Sequence, residues 1–321
     1  MAAGEVLTTL HRIWKRREVH LTVVVVVLLA ALWLVHRALG HFHLADVLAS
    51  LRSMSVRELL LAVALTACAY LLLSLYDVLA LRYIGSKLPW STAAFAAFSA
   101  YAVAHNVGFS ALSGGSVRLR IYTRAGLSAL QIAQVVAFCT LTFALGACGL
   151  LGLSLLLEVR RASQLLHLSP LLITGIGASA LTVVAVYLLL NIWNTASIRI
   201  GSAMLRFPGL KTALSQLVVA ALDMCVAASV LYVLLPAGAT NGFFPFMGLY
   251  LVAQAAGLIS GVPGGLGVFE SILLLLLPAV PPHQLLASML AYRAIYYLLP
   301  FLCALVVLLL HEVHWPRRKQ G

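Results

Sequence analysis

The sequence predicts an all-α fold: a polytopic membrane protein with six full spans and two re-entrant helical hairpins in an inverted repeat. Three observations carry that prediction. Hydrophobic residues make up 63% of the chain against 9% charged, with a mean hydropathy of +1.04, whereas soluble domains carry about a quarter charged residues. Several apolar runs exceed the roughly 20 residues needed to cross a bilayer. Two further apolar stretches are interrupted by glycine and proline, and they resemble one another.

The 321 residues read as a single transmembrane domain, 1–321, with no connection long enough to fold as a soluble domain. Net charge is +12, from 21 Lys and Arg against 9 Asp and Glu. In so apolar a chain this reads as positive-inside anchoring to anionic lipid, not as nucleic-acid binding. The five cysteines all fall in apolar runs without CxxC spacing, so they read as small buried hydrophobes and imply no disulfide or metal framework.

Taken in order, the basic "HRIWKRREVH" and the apolar run after it read as a retained first span, about 19–38, entering from the cytoplasmic side. A polar stretch with Arg37, Asp46, Arg52 and Arg57 follows as a short interfacial helix. The second span covers about 58–82. The unit 90–128 is apolar first and basic afterwards. Spans follow at about 129–157, 169–191 and 212–235. The unit 243–280 contains "SGVPGGLGVFE", "VPPHQ" marks a turn, and a last span runs from about 284 to 310.

Two parts of the chain match. "YAVAHNVG", 101–108, agrees with "YLVAQAAG", 250–257, at Tyr, Val, Ala and Gly in register. Gly-Gly follows each, at Gly114-Gly115 and Gly264-Gly265, and an intramembrane aspartate precedes each, Asp77 and Asp223. The repeats run from about 58 to 157 and from about 212 to 310. Charge then tests topology. If every apolar unit crosses once, Lys and Arg divide 11 inside to 9 outside. If 90–128 and 243–280 enter and leave by one face, they divide 15 to 5, with Arg293 left inside the last span. The positive-inside bias favours hairpins, with both termini cytoplasmic. The hairpins then open on opposite faces, and inverted repeats with broken helices meeting near the midplane mark many transporters.

Non-helical backbone at membrane depth is tolerated only where protein or a water-filled cavity covers it. "SGVPGGLG" therefore reads as a hairpin tip at Pro263, Gly264 and Gly265, with Gly114 and Gly115 as its counterpart. A packing kink is the other reading of these glycines. Glu270, in the first turn of the returning helix, would interact with the helix dipole or hold a cationic group. Charges at bilayer depth are costly unless paired or hydrated. Asp223 and Glu270 are expected to line a polar cavity, with Arg118 and Arg293 as counter-charges. Asp77 lies nearer a helix end, where structural pairing serves as well. His105 and Asn106 read as a polar pair supporting the first hairpin. "HFH" and "HEVH" lack the spacing of a metal site, and no catalytic triad or paired acid and base stands out.

"PGGLGVFE", 263–270, together with "NVGFSALSGGSVRLRIY", 106–122, resembles the transmembrane flippase domain of lysylphosphatidylglycerol synthase/flippase proteins, the multiple peptide resistance factors. Closer in size are standalone bacterial inner-membrane members of that family. The resemblance covers about 20–310. It implies lipid movement between leaflets, with Asp77, Arg118 and Glu270 matching polar positions of the family. The cytoplasmic aminoacyl-transferase domain of the larger proteins has no counterpart here, so aminoacylation is not expected and the chain is not expected to be an enzyme. The expectation is a lipid translocase of the bacterial inner membrane that binds a phospholipid headgroup, uses no cofactor, and has lipid-synthesis proteins as possible partners. A lipid-modifying membrane enzyme and a non-catalytic subunit of a lipid-synthesis complex are the alternatives.

Overall fold

A computed structural model describes residues 44–108, 110–193, 197–200, 203–260 and 262–314. The expected first span, the histidines of "HFH", Gly261 and the basic C-terminal residues lie outside the described residues. The chain divides into a short unit ending at Asp46 and a large unit from Val47 onward; every contact below lies within the latter.

After α1 (Leu44–Ser53), α2 covers Val56–Tyr83. It starts in a capping box: Ser55 N–H donates to Glu58 Oε2 at 3.0 Å and Glu58 N–H to Ser55 Oγ at 3.2 Å, which satisfies two of the orphan donors at the helix start. Next come α3 (Trp90–Val107), α4 (Ser110–Arg124), α5 (Ala129–Leu157), the short α6 (Val159–Leu166) and α7 (Pro170–Trp193). Ser128 and Gln131 form a second capping box at the head of α5. The polar connection after α7 pairs β1 (Ser197–Ile200) with β2 (Ala203–Arg206) as a small antiparallel hairpin. This is the one local departure from an all-helical reading among the described residues. Then follow α8 (Leu210–Leu234), α9 (Phe243–Ile259), a 3₁₀ turn (Pro263–Gly265), α10 (Val268–Leu276) and α11 (Pro282–Tyr292). A π-helical segment (Arg293–Leu298) leads into α12 (Leu299–His314).

Five of these elements are long and apolar enough to cross a membrane: α2, α5, α7, α8 and the continuous run Pro282–Leu310. They match the expected spans at 58–82, 129–157, 169–191, 212–235 and 284–310. At about 1.5 Å per residue, the 9-residue α10 reaches less than half of a ~30 Å hydrocarbon core. The chain is thus an all-helical, multi-pass membrane protein in its overall class.

Small residues set the helix contacts, as expected where hydrocarbon leaves no hydrophobic drive between helices. A Cβ on Gly146 of α5 would stand 2.4 Å from Ala220 Cβ of α8, and one on Gly152 would stand 2.9 Å from the Gly177 carbonyl of α7. Gln216 ties the same three helices together: its Nε2 donates to Thr142 Oγ1 at 2.7 Å and its Oε1 accepts from the Tyr187 hydroxyl at 2.5 Å. The most extensive packing joins α2 to α8. These are the two helices that carry Asp77 and Asp223.

Candidate functional site: two hairpin tips beside a π-widened helix

The α3 and α4 helices pack against each other as a hairpin. Its break lies at Gly108, with φ 78° and ψ −175°, a region open almost only to glycine. The expected tip at Gly114 and Gly115 is therefore corrected. Both lie inside α4, and a Cβ on Gly114 would meet the Ala100 carbonyl at 3.2 Å and Ala104 Cβ at 3.3 Å. Gly114 lets the limbs close on each other, and Gly115 faces Val136 of α5; neither turns the chain.

The second hairpin, α9 and α10, turns through Pro263, Gly264 (φ 60°), Gly265 (φ 61°) and Gly267 (φ 81°), as its sequence led one to expect. Gly265 closes against Gly257 on the opposite limb, where a Cβ would stand 3.1 Å from the Gly257 Cα. The two breaks meet. A Cβ on Gly108 would lie 2.8 Å from Pro263 Cα, and one on Gly264 would lie 3.1 Å from the His105 carbonyl. Positions more than 150 residues apart thus touch backbone to backbone.

A carboxylate and an arginine fasten the second tip. Glu270 Oε2 accepts from Gly267 N–H at 2.8 Å, capping α10, while its Oε1 accepts from Arg293 Nε. Arg293 Nη1 donates to the Gly264 carbonyl at 3.0 Å, and its guanidinium lies 5.2 Å from the Tyr297 ring centre. Glu270 therefore meets both expectations, helix dipole and cation. This ion pair is only partly buried.

Arg293 opens the π segment, and Pro300 explains where that segment falls. A proline has no N–H for the carbonyl four residues back and its ring crowds that carbonyl. The freed Tyr296 oxygen accepts from the Tyr70 hydroxyl at 3.4 Å, and the Tyr297 oxygen accepts from Asn106 Nδ2 at 3.1 Å. Such widened turns recur at functional sites. Asn106 also donates to the Ala102 carbonyl at 2.9 Å. The His105 ring stacks on Tyr296, with its Nδ1 3.4 Å from the Tyr70 hydroxyl. The His105–Asn106 pair thus supports the first hairpin, as read from the sequence.

An aromatic cluster surrounds the junction. Tyr250 and Tyr292 share a hydroxyl contact at 2.8 Å, Tyr292 stacks on Tyr296 with ring centres 5.2 Å apart, and Tyr76 packs edge-on to Tyr101. With Tyr70 and Tyr297, seven of the chain's 11 tyrosines gather here. Sequence reasoning missed them. The available signal was "YRAIYY", 292–297, in the last span, where rings spaced i, i+4, i+5 around an arginine share one helix face.

The remaining ionisable residues divide. Asp77 is fully buried and holds Arg118, whose Nε and Nη2 donate at 2.9 and 2.6 Å. Tyr122 adds its hydroxyl at 2.7 Å and Cys139 its thiol at 3.6 Å, while Arg118 lies 4.5 Å from the Tyr101 ring centre. Arg118 is thus the counter-charge of Asp77, not of Asp223. Asp223, 4% exposed, accepts from the Tyr76 hydroxyl at 3.1 Å, its one hydrogen-bond partner among the described residues.

Comparison with known proteins identifies the family. Residues 21–304 match the family model for the lysylphosphatidylglycerol synthase TM region. An uncharacterized protein of Synechocystis sp. is 37% identical over 89% of this chain and 89% of its own length. The inner membrane protein YbhN of Escherichia coli is 31% identical over 79% of this chain and 80% of its own. Phosphatidylglycerol lysyltransferase of Staphylococcus haemolyticus is 27% identical over 74% of this chain but only 28% of its own length. With a family model matched over nearly its whole length and two relatives aligned almost end to end, the chain belongs to the lysylphosphatidylglycerol synthase transmembrane-region family.

Proposed function

We propose that this protein is a lipid translocase of the bacterial inner membrane, carrying a phospholipid headgroup between leaflets while the acyl chains stay in hydrocarbon. The observation that carries the reading is the contact of Gly108 with Pro263, beside a last span whose helix widens to π geometry over Arg293–Leu298. Broken helices that meet inside a membrane need a partner for their free backbone groups, and transport sites are built there. On this reading α3–α4 and α9–α10 are re-entrant hairpins opening on opposite faces. Helices α2–α5 and α8–α12 form an inverted repeat about the α2–α8 contact, both termini are cytoplasmic, and residues 19–38 add a sixth span. Arg293, only partly buried at the tip, binds headgroup phosphate when Glu270 releases it. The protein makes no covalent change to the lipid, and any lipid-synthesis proteins it meets supply or consume its cargo.

One relative's name supports a lipid role, a phosphatidylglycerol lysyltransferase, and another's supports the inner membrane as the location. The test is leaflet transfer in liposomes. Purified protein is reconstituted with fluorescent phospholipids of several headgroups, and the outer leaflet is quenched chemically. Faster loss of inner-leaflet signal than in empty liposomes is expected. Folded protein that moves no headgroup, with or without an imposed proton gradient, would exclude the reading.

A further inference from the structure

Three carboxylates lie within the described apolar segments, and arginines neutralise two of them: Asp77 by Arg118 and Glu270 by Arg293. Asp223 has no such partner. Its Oδ2 accepts from Tyr76, and its Oδ1 is buried without a hydrogen-bond partner among the described residues. At 1.5 Å per residue it lies about 20 Å from one end of α8 and about 16 Å from the other, near mid-span.

The group that meets it is the Tyr76 hydroxyl from α2; Tyr101 of α3 packs edge-on to Tyr76, and Tyr70 of α2, Tyr250 of α9 and Tyr296 of the π segment belong to the same aromatic cluster. From α5 and α7, Thr142 and Tyr187 turn to Gln216 two turns away, and from α11 Ser288 turns to the Leu234 carbonyl. None of these supplies a positive charge. An isolated ionised carboxylate costs far more in such surroundings than the neutral acid does.

Resting on the translocase reading, we propose that Asp223 is the proton-coupling site of the transport cycle. A hydronium ion on one side gives its proton to Oδ1 and leaves as water. On the other side the O–H bond breaks to water, restoring the carboxylate and a hydronium ion. A metal cation would need several converging oxygens, whereas one hydroxyl converges here, and no three metal-ligating residues group together among the described residues. Position supplies the coupling. Asp223 lies where α8 packs on α2, so relative motion of the two halves changes which side's water reaches it.

Infrared spectroscopy of the full chain in lipid nanodiscs tests the site directly. A protonated-carboxyl carbonyl band is expected at neutral pH, absent in Asp223→Asn, retained in Glu270→Gln, and fading as pH rises. A missing band, or one that survives in Asp223→Asn, overturns the proposal. So does a carboxylate band that shifts on adding sodium or an alkylammonium salt, since Asp223 then holds another cation. In liposomes, an imposed pH difference should bias lipid between leaflets by up to about tenfold per unit if one proton moves per lipid. Transfer indifferent to the gradient overturns the coupling and leaves the translocase standing. A titrating band without any lipid transfer sinks the translocase, and the coupling with it.

Discussion

Removing the Arg118 side chain should destabilise the protein in a way that removing Asp77 as well does not worsen. The pair is bidentate and buried, at 4% and 0% side-chain exposure. Breaking a buried pair from one side costs about 3–5 kcal/mol, because the abandoned charge stays buried. In Arg118→Met, Asp77 keeps Tyr122 at 2.7 Å and Cys139 at 3.6 Å, so the loss should fall near the lower limit, about 3 kcal/mol. In Asp77→Asn, Arg118 loses its counter-charge and keeps the neutral amide oxygen as an acceptor and its place over the Tyr101 ring, a contact worth about 0.5–2 kcal/mol, and the loss should be about as large. The double variant buries no unpaired charge and should cost no more than either single change, a coupling near 3 kcal/mol. Unfolding in mixed micelles with increasing denaturing detergent measures all four proteins. Additive losses, or single losses below about 1 kcal/mol, would refute the claim that this pair is a desolvated unit.

Other outcomes follow from the same geometry. Tyr122→Phe removes a hydrogen bond to a carboxylate and should cost about 1.5–3 kcal/mol in the same unfolding experiment. Gly108→Ala should lower stability by more than Gly242→Ala: both combine positive φ with ψ near 180°, but only Gly108 faces another chain segment within 4 Å. The shared backbone cost is about 1–3 kcal/mol, and equal losses would mean the tips do not touch. Gly146→Val should cost about 1–3 kcal/mol or more by forcing α5 from α8, read as a lower melting temperature in detergent. Asn106→Leu removes the donor to the Tyr297 carbonyl, at a cost of about 1–3 kcal/mol, and should speed hydrogen exchange in the π segment; unchanged exchange would count against that contact.

Hydropathy made the spans legible because each must bury about 20 residues in hydrocarbon whatever its neighbours are. The second tip was equally plain, since "PGGLG" supplies three positive-φ glycines and a proline in one place. The first tip was misplaced. Gly114-Gly115 looks like a break, yet the chain turns at Gly108, and a lone glycine carries little signal beside a pair. Glycine in a helix can mean a turn or a close contact, and only the facing Ala100 and Ala104 decide which. The ionisable residues could be found, because charge in an apolar run is rare. Their partners could not. Arg118 reaches Asp77 across 41 positions, a relation set by how α4 packs on α2. Seven tyrosines converge for the same reason, from helices distant in sequence.

The most direct measurement is leaflet transfer by variants of the junction itself. Glu270→Gln and Asp223→Asn are compared with wild type in liposomes, after each is shown to be folded and monodisperse. Glu58→Gln, which alters an exposed cap of α2, serves as the control. Transfer by wild type and Glu58→Gln, with at least tenfold slower transfer by the two junction variants, is predicted. Wild-type rates in folded Glu270→Gln would contradict a lipid path through the meeting tips, and wild-type rates in folded Asp223→Asn would contradict a part for Asp223 in the cycle.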